Sequence, residues 1–212
     1  MSFRKKIKEY AQTPITRNMV EEALENYRRP NDKISELIKS EELISLRRGL
    51  YMVGPELDLP TPEPFLIANH LRGPSYVSLE SALSYWDMIP ERTYEVSSVT
   101  IKTSKVYNTK VARFSYRHLK TPYYSYGIRS VEYSSNQTAL VASPEKALCD
   151  KIVLTPGVNL RSIKQTLEFL LEDLRIDEEV LGTLDTELMT LWLENAPKKS
   201  SIEILIKTLK EL

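Results

Sequence analysis

The chain has 212 residues, 42% apolar and 27% charged, a composition that can bury a core and excludes a disordered or fibrous chain. No apolar run approaches the roughly 20 residues of a membrane helix, and Met1-Ser2-Phe3-Arg4-Lys5-Lys6 lacks a signal peptide's apolar stretch, so a cytoplasmic protein without membrane contact is expected. Net charge is zero but unevenly spread: residues 1 to 53 carry eleven Lys and Arg against eight Asp and Glu, while the last third is rich in acids. Such segregation implies a charged partner.

In chain order, Phe3, Ile7, Tyr10 and Ala11 recur at helical spacing and predict a short amphipathic helix. Pro14 interrupts it. Thr16 then predicts the cap of a second helix that turns Met19, Val20, Ala23, Leu24 and Tyr27 inward. After Arg28-Arg29-Pro30, Asn31 or Asp32 is expected to cap a third helix burying Ile34, Leu37 and Ile38. Leu43 to Leu46 and Leu50 to Val53 predict a hairpin whose tip is Arg47-Arg48-Gly49, with Gly49 supplying the freedom of a tight turn. Three short helices and a basic-tipped hairpin are the layout of a winged helix-turn-helix over residues 1–53. Candidate DNA contacts are Arg28, Arg29, Asn31, Lys33, Lys39, Arg47 and Arg48. The third helix also carries Asp32 and Glu36, so phosphate contact is expected to outweigh base readout. The same layout also serves as a protein-docking module, with Arg47 and Arg48 in a solvated turn.

Gly54 to Pro64, with four prolines and neither period, reads as a linker over residues 54–64. Residues 65–212 then form an α+β domain: a helix over Pro64 to Leu71, a strand at Tyr76-Val77, and a helix capped by Ser78 running to about Met88. Strands follow over Val96–Lys102, Val111–Tyr116, Ser125–Val131 and Ala139–Ala142. Ser143-Pro144-Glu145 opens another helix. The carboxyl end is helical, with stripes at Leu160, Ile163, Leu167, Leu170, Leu171 and Leu174, then Leu188, Leu191 and Trp192, then Ile202, Leu205, Ile206 and Leu209. Residues 96 to 131 contain Lys102, Lys105, Lys110, Arg113, Arg117, Lys120 and Arg129 and no acid, interleaved with Tyr107, Tyr116, Tyr123, Tyr124 and Tyr126. Two readings stand. Cations beside stacking rings suit nucleic acid, or alternation puts the tyrosines in a core and the cations in water, neutralised by the acidic tail.

Three stretches, Leu43 to Tyr51, Tyr76 to Tyr85 and Ala142 to Asp150, together resemble the AbiEi-type antitoxins and transcriptional regulators of bacterial type IV toxin–antitoxin systems, over roughly residues 1 to 155. The resemblance implies an autorepressor that binds operator repeats, as a homodimer on DNA, and opposes a nucleotidyltransferase-like toxin in abortive infection. Lys102, Lys105, Lys110, Arg113 and Arg117 are the expected antitoxin or nucleic-acid surface. The chain departs from that family's pattern at Glu41, where glycine is common, and at Trp86-Asp87, where His-Gly is common. Alternatives are a module that masks the toxin by direct contact and a nucleic-acid-processing enzyme.

Nothing in the sequence spells a catalytic or metal site. His70 and His118 stand far apart with no ligand-spaced partner, and six glycines include no phosphate-cradling loop. A capped helix accounts for Ser143-Pro144-Glu145-Lys146 with Asp150 nearby, and a first-turn position accounts for Glu80. Cys149, alone, is expected to be an inert core thiol. No cofactor and no catalytic role are expected.

Overall fold

Proline sets the starts of several helices in the structure, a computed structural model that describes residues 3–91, 93–134 and 136–212. Pro30, Pro64 and Pro144 are the first residues of α3 (Pro30–Lys39), α4 (Pro64–Leu71) and α6 (Pro144–Leu154), where a missing N–H costs nothing and a fixed φ is an advantage. The third helix therefore starts one residue ahead of Asn31. Arg29 stands at its cap position with no side-chain cap, and Asn31 lies inside the first turn.

The amino-terminal part runs α1 (Phe3–Ile7), β1 (Ile15–Thr16), α2 (Arg17–Ala23), α3, β2 (Leu43–Arg47) and β3 (Leu50–Val53). Its three strands form an antiparallel sheet in the order β1-β3-β2. Phe3, Ile7, Ala11, Val20, Ala23, Leu24, Ile34 and Leu37 fill its core. Tyr27, expected inside, is 42% exposed and lies beneath the Lys33 ammonium, 5.7 Å from its ring centroid. Thr16 precedes α2 without capping it through its side chain.

The hairpin belongs to two cores. Tyr51 and Val53 pack into the amino-terminal cluster, while Leu50 and Met52 on the opposite face pack into the cluster of the larger body. Leu46 follows Ile44 onto the body's face by alternation, and a bulge between Ser45 and Arg47 then brings Arg47 opposite Leu50, on that face as well. The proline-rich segment after it is also fastened. Pro55–Leu57 make a 3₁₀ turn, Leu57 and Leu59 pack on the amino-terminal core, and Gln137 accepts from the Glu63 N–H at 2.6 Å.

The body is built on a mixed six-stranded sheet ordered β6-β7-β5-β4-β9-β8, comprising β4 (Ser75–Val77), β5 (Glu95–Thr100), β6 (Lys105–Asn108), β7 (Arg113–His118), β8 (Ile128–Ser134) and β9 (Gln137–Ala142). β4 is parallel to β9 and β5 to β7; the other neighbours are antiparallel. Strand β6 was not anticipated: it is an edge strand with one partner and almost no buried side chain, so it lacks the alternation that marks a strand. α4, α5 (Leu79–Tyr85) and α6 pack on the sheet. α7 (Ile163–Leu167), continued by a π-helical turn over Glu168–Asp173, with α8 (Glu178–Leu181), α9 (Thr186–Trp192) and α10 (Lys199–Lys210), completes the carboxyl end. Of the expected stripe Leu160 and Leu170 are buried, with Thr166 and Phe169 beside them in place of Ile163 and Leu167, and on α9 Met189 and Trp192 are buried while Leu191 is 73% exposed. No helix among the described residues is long and apolar enough to cross a membrane.

Candidate nucleic-acid interface

Gly49, at φ +77°, closes the hairpin tip, and its carbonyl accepts from the Arg17 N–H at 3.0 Å. The Arg17 guanidinium donates to Asn31 Oδ1 and to Glu21 Oε1. The hairpin tip, the start of α2 and the start of α3 are thereby held together. Of the expected DNA contacts, Arg28, Lys39 and Arg48 are exposed and pair with no carboxylate among the described residues. Arg29 faces Asp32 at 3.8 Å, and Lys33 donates to Glu36 at 2.8 Å, a bond that raises the Lys33 pKa. Asn31 is committed to Arg17.

Arg47 turns from the tip toward the body, where its Nε donates to the Leu71 carbonyl at 3.0 Å and its Nη1 to the Arg48 carbonyl at 3.2 Å. Leu71 is the last residue of α4, so a guanidinium meets an orphan carbonyl at the negative end of a helix. Past this contact opens a cleft of about 630 Å³ lined by Arg47, Arg48, His70, Arg72, Lys102, Lys105 and Tyr107, with no carboxylate. Its cations are held by carbonyls. Arg72 donates to Thr103 O at 3.1 Å through Nε and to Thr103 Oγ1 at 2.9 Å through Nη2, and Lys102 donates to Gly73 O. The Lys105 ammonium lies 4.7 Å from the Tyr107 ring centroid. Carbonyls and ring faces orient these side chains without cancelling their charge, so the cleft stays positive.

The acid-free segment does not make an acid-free surface. Lys110 donates to Glu41 at 2.6 Å and Arg113 to Glu95 at 2.6 Å, and the Lys110 contact holds the Glu41 carboxyl below its usual range. The neutralising acids come from the turn before the hairpin and the start of β5, not from the acidic tail. Arg117 lies apart from the cleft in a groove of about 510 Å³, beside Glu80 and Lys151. Burial pushes the Glu80 carboxyl up, but its bond from Lys151, its own backbone N–H and the charge of Arg117 bring it below its ordinary value. Tyr116 and Tyr123 are buried, so of the five tyrosines Tyr107 alone lines the basic cleft.

A second polar assembly lies inside the body. The Lys146 and Asp150 side chains are fully buried one helical turn apart on α6, with Lys146 Nζ donating to Asp150 Oδ1 at 2.7 Å and to the Tyr123 carbonyl at 3.1 Å. The Tyr76 and Ser78 hydroxyls both donate to Asp150 Oδ2, at 2.9 and 2.8 Å. Burial, and then the Asp150 carboxylate, raise the Tyr76 phenol well above its usual range. The expected cap at Ser143 is present: it accepts from Lys146 N. Ser78 does not cap α5: the Ser81 N–H that its hydroxyl would accept from donates to Ser97 Oγ at 3.2 Å instead, and the Ser78 hydroxyl donates to Asp150. Burial pushes the Cys149 thiol up to about 12. Every polar atom of this assembly faces protein, which suits holding α6 to β4 and the Tyr123 turn. Among the described residues no group of three or more His, Cys, Asp and Glu could hold a metal ion.

Sequence reasoning missed Arg72, a lone basic residue past a helix end that carries no period. It also missed the network. The signal for that was a Lys and an Asp four apart in a helix otherwise made of Ala147, Leu148, Cys149, Ile152 and Val153.

Neither a known protein family nor a curated protein matches the sequence. Among solved structures the chain is similar to the RV2827C protein from Mycobacterium tuberculosis, with a TM-score of 0.60 at 12% identity over 98% of this chain and 77% of that one. At that identity the likeness shows the fold alone, an α+β architecture with amino-terminal helices and a body of mixed sheet and helices.

Proposed function

We propose that residues 1–53 act as a winged helix-turn-helix and that the protein binds duplex DNA across α3, the hairpin tip and the basic cleft, as a transcriptional repressor. The observation that carries this reading is the cleft, which gathers Arg48, Arg72, Lys102 and Lys105 around a space that no carboxylate lines, with Arg47 tied back to the Leu71 carbonyl at its edge. The element order, the sheet order β1-β3-β2 and the fastening of the hairpin tip to α3 through Arg17 support it as well. On α3 the acids Asp32 and Glu36 face Arg29 and Lys33, which favours phosphate contact over base readout. Autorepression on inverted operator repeats, a homodimer on DNA and opposition to a nucleotidyltransferase-like toxin extend the reading through the resemblance to AbiEi-type antitoxins.

The test is fluorescence anisotropy with a labelled duplex from upstream of the protein's own gene, beside a scrambled duplex, from low to physiological salt. Salt-sensitive binding that persists longest on the upstream duplex supports the reading. Failure to bind either duplex at low salt refutes it and leaves the amino-terminal part as a protein-docking module.

A further inference from the structure

Arg47 and Arg48 are neighbours at the hairpin tip, yet their side chains are differently engaged. Arg48 is exposed and pairs with no described residue, whereas Arg47 spends Nε on the carbonyl that ends α4 and Nη1 on the Arg48 carbonyl. The bulge between Ser45 and Arg47 sets that direction, and Leu46, at the same bulge, is buried in the body's core. We infer that Arg47 is a positioning residue, the bolt that fixes the hairpin tip to the end of α4 so that Arg48, Arg72, Lys102 and Lys105 meet one DNA backbone as a single rigid surface. This rests on the DNA-binding reading above.

The chemistry allows a clean separation. A phosphate contact depends on the charge of Arg47, whereas the bond to Leu71 depends on one N–H at the end of a side chain of given length. Glutamine carries an N–H at the same bond distance from Cα as the Nε of arginine and has no charge. Arg47→Gln keeps a donor for the Leu71 carbonyl and removes the charge and the bond to Arg48; Arg47→Ala removes all three.

The experiment measures duplex affinity against salt for the parent, Arg47→Gln, Arg47→Ala and Arg48→Ala, with amide hydrogen exchange of each protein free of DNA. The expectation for Arg47→Ala is faster exchange at the hairpin tip and after α4, and binding weakened about tenfold, the scale of one hydrogen bond from a charged group, with a nearly unchanged salt slope. Arg47→Gln should keep the parental slope, with exchange and affinity much closer to the parent than those of Arg47→Ala, while Arg48→Ala should lower the slope by about one unit with normal exchange. If Arg47→Gln lowers the slope by about one unit, Arg47 touches phosphate and the inference is overturned. It is likewise overturned if Arg47→Ala leaves exchange unchanged, or speeds exchange without weakening binding. Absence of DNA binding by the parent defeats the DNA reading itself, and is told apart because the exchange data still report whether the tether holds.

Discussion

Both departures from the AbiEi-type pattern fall on backbone that favours glycine: Glu41 has φ 55° and Asp87 φ 54°. A side chain there costs about 1–2 kcal/mol, less for aspartate, which tolerates this region, and the exposed, solvent-screened Glu41–Lys110 pair returns little of it. Glu41→Gly should therefore raise the thermal midpoint, by about 0.5–1 kcal/mol of stability, and Asp87→Gly by less. A fall in midpoint for Glu41→Gly would show the Lys110 contact to be the stronger effect. Gly54 presents the reverse case, since a Cβ there would lie 1.9 Å from the Glu41 carbonyl oxygen, and Gly54→Ala should cost about 2–3 kcal/mol. In the body, removing one partner of the Lys146–Asp150 pair strands a buried charge, so Lys146→Met and Asp150→Asn should each cost about 3–5 kcal/mol. The double variant should cost clearly less than their sum, and additive losses in denaturant titrations would mean the pair is not coupled. The Cys149 thiol has a second consequence. Its pKa is raised on folding from an ordinary value of 9.0 to about 12, so the unfolded chain loses this proton first. The contribution is fully present below about pH 9 and is lost as pH rises toward 12. Native protein should resist thiol reagents at pH 8, and Cys149→Ala should flatten the decline of stability above pH 9; rapid native labelling would place the thiol outside the core.

At the scale of elements, most boundaries were legible because their physical signals are local. Prolines at helix starts, the Ser143 cap and Gly49 all act within a few residues, and α4, β4, β9 and α6 fall close to where patterning puts them. What escaped depends on distant partners. Edge strand β6 has no alternation to read, the N–H that Ser78 would cap is taken by Ser97 on β5, and the π turn after α7 interrupts the α-helical spacing that the leucine stripe assumed. The hairpin is the most instructive case. Its residues alternate between two cores, whereas sequence reading assigned it whole to the amino-terminal part and placed a linker after it. Because Leu46, Leu50 and Met52 join the body's core, unfolding should be one cooperative transition, followed alike by tyrosine signals and by those of Trp86 and Trp192. Met52→Ala should lower that single transition by about 2–5 kcal/mol; two separated transitions in the parent would mean the cores are independent.

At the scale of the whole molecule, the acid-free run from residue 96 to 131 was visible in the sequence, but its fate was not. Folding neutralises Lys110 and Arg113 with acids from elsewhere, sends Arg117 to another groove, and leaves Lys102 and Lys105 beside Arg72 and the hairpin tip. Residues that sequence reading divided between a DNA-binding module and a separate antitoxin surface therefore line one cleft. If that cleft carries DNA, the body contributes phosphate contacts, and repression is not separable from it. The most direct measurement is the slope of log affinity against log salt for duplex DNA with Arg72, Lys102 and Lys105 all replaced by alanine. Each phosphate contact contributes about 0.9 to that slope on duplex DNA, so loss of all three should flatten it by up to about 3 units, while the thermal midpoint falls only modestly as Arg72 and Lys102 give up their exposed bonds to Thr103 and Gly73. A folded triple variant with the parent's affinity and slope would contradict the claim and confine any DNA contact to α3 and the hairpin tip.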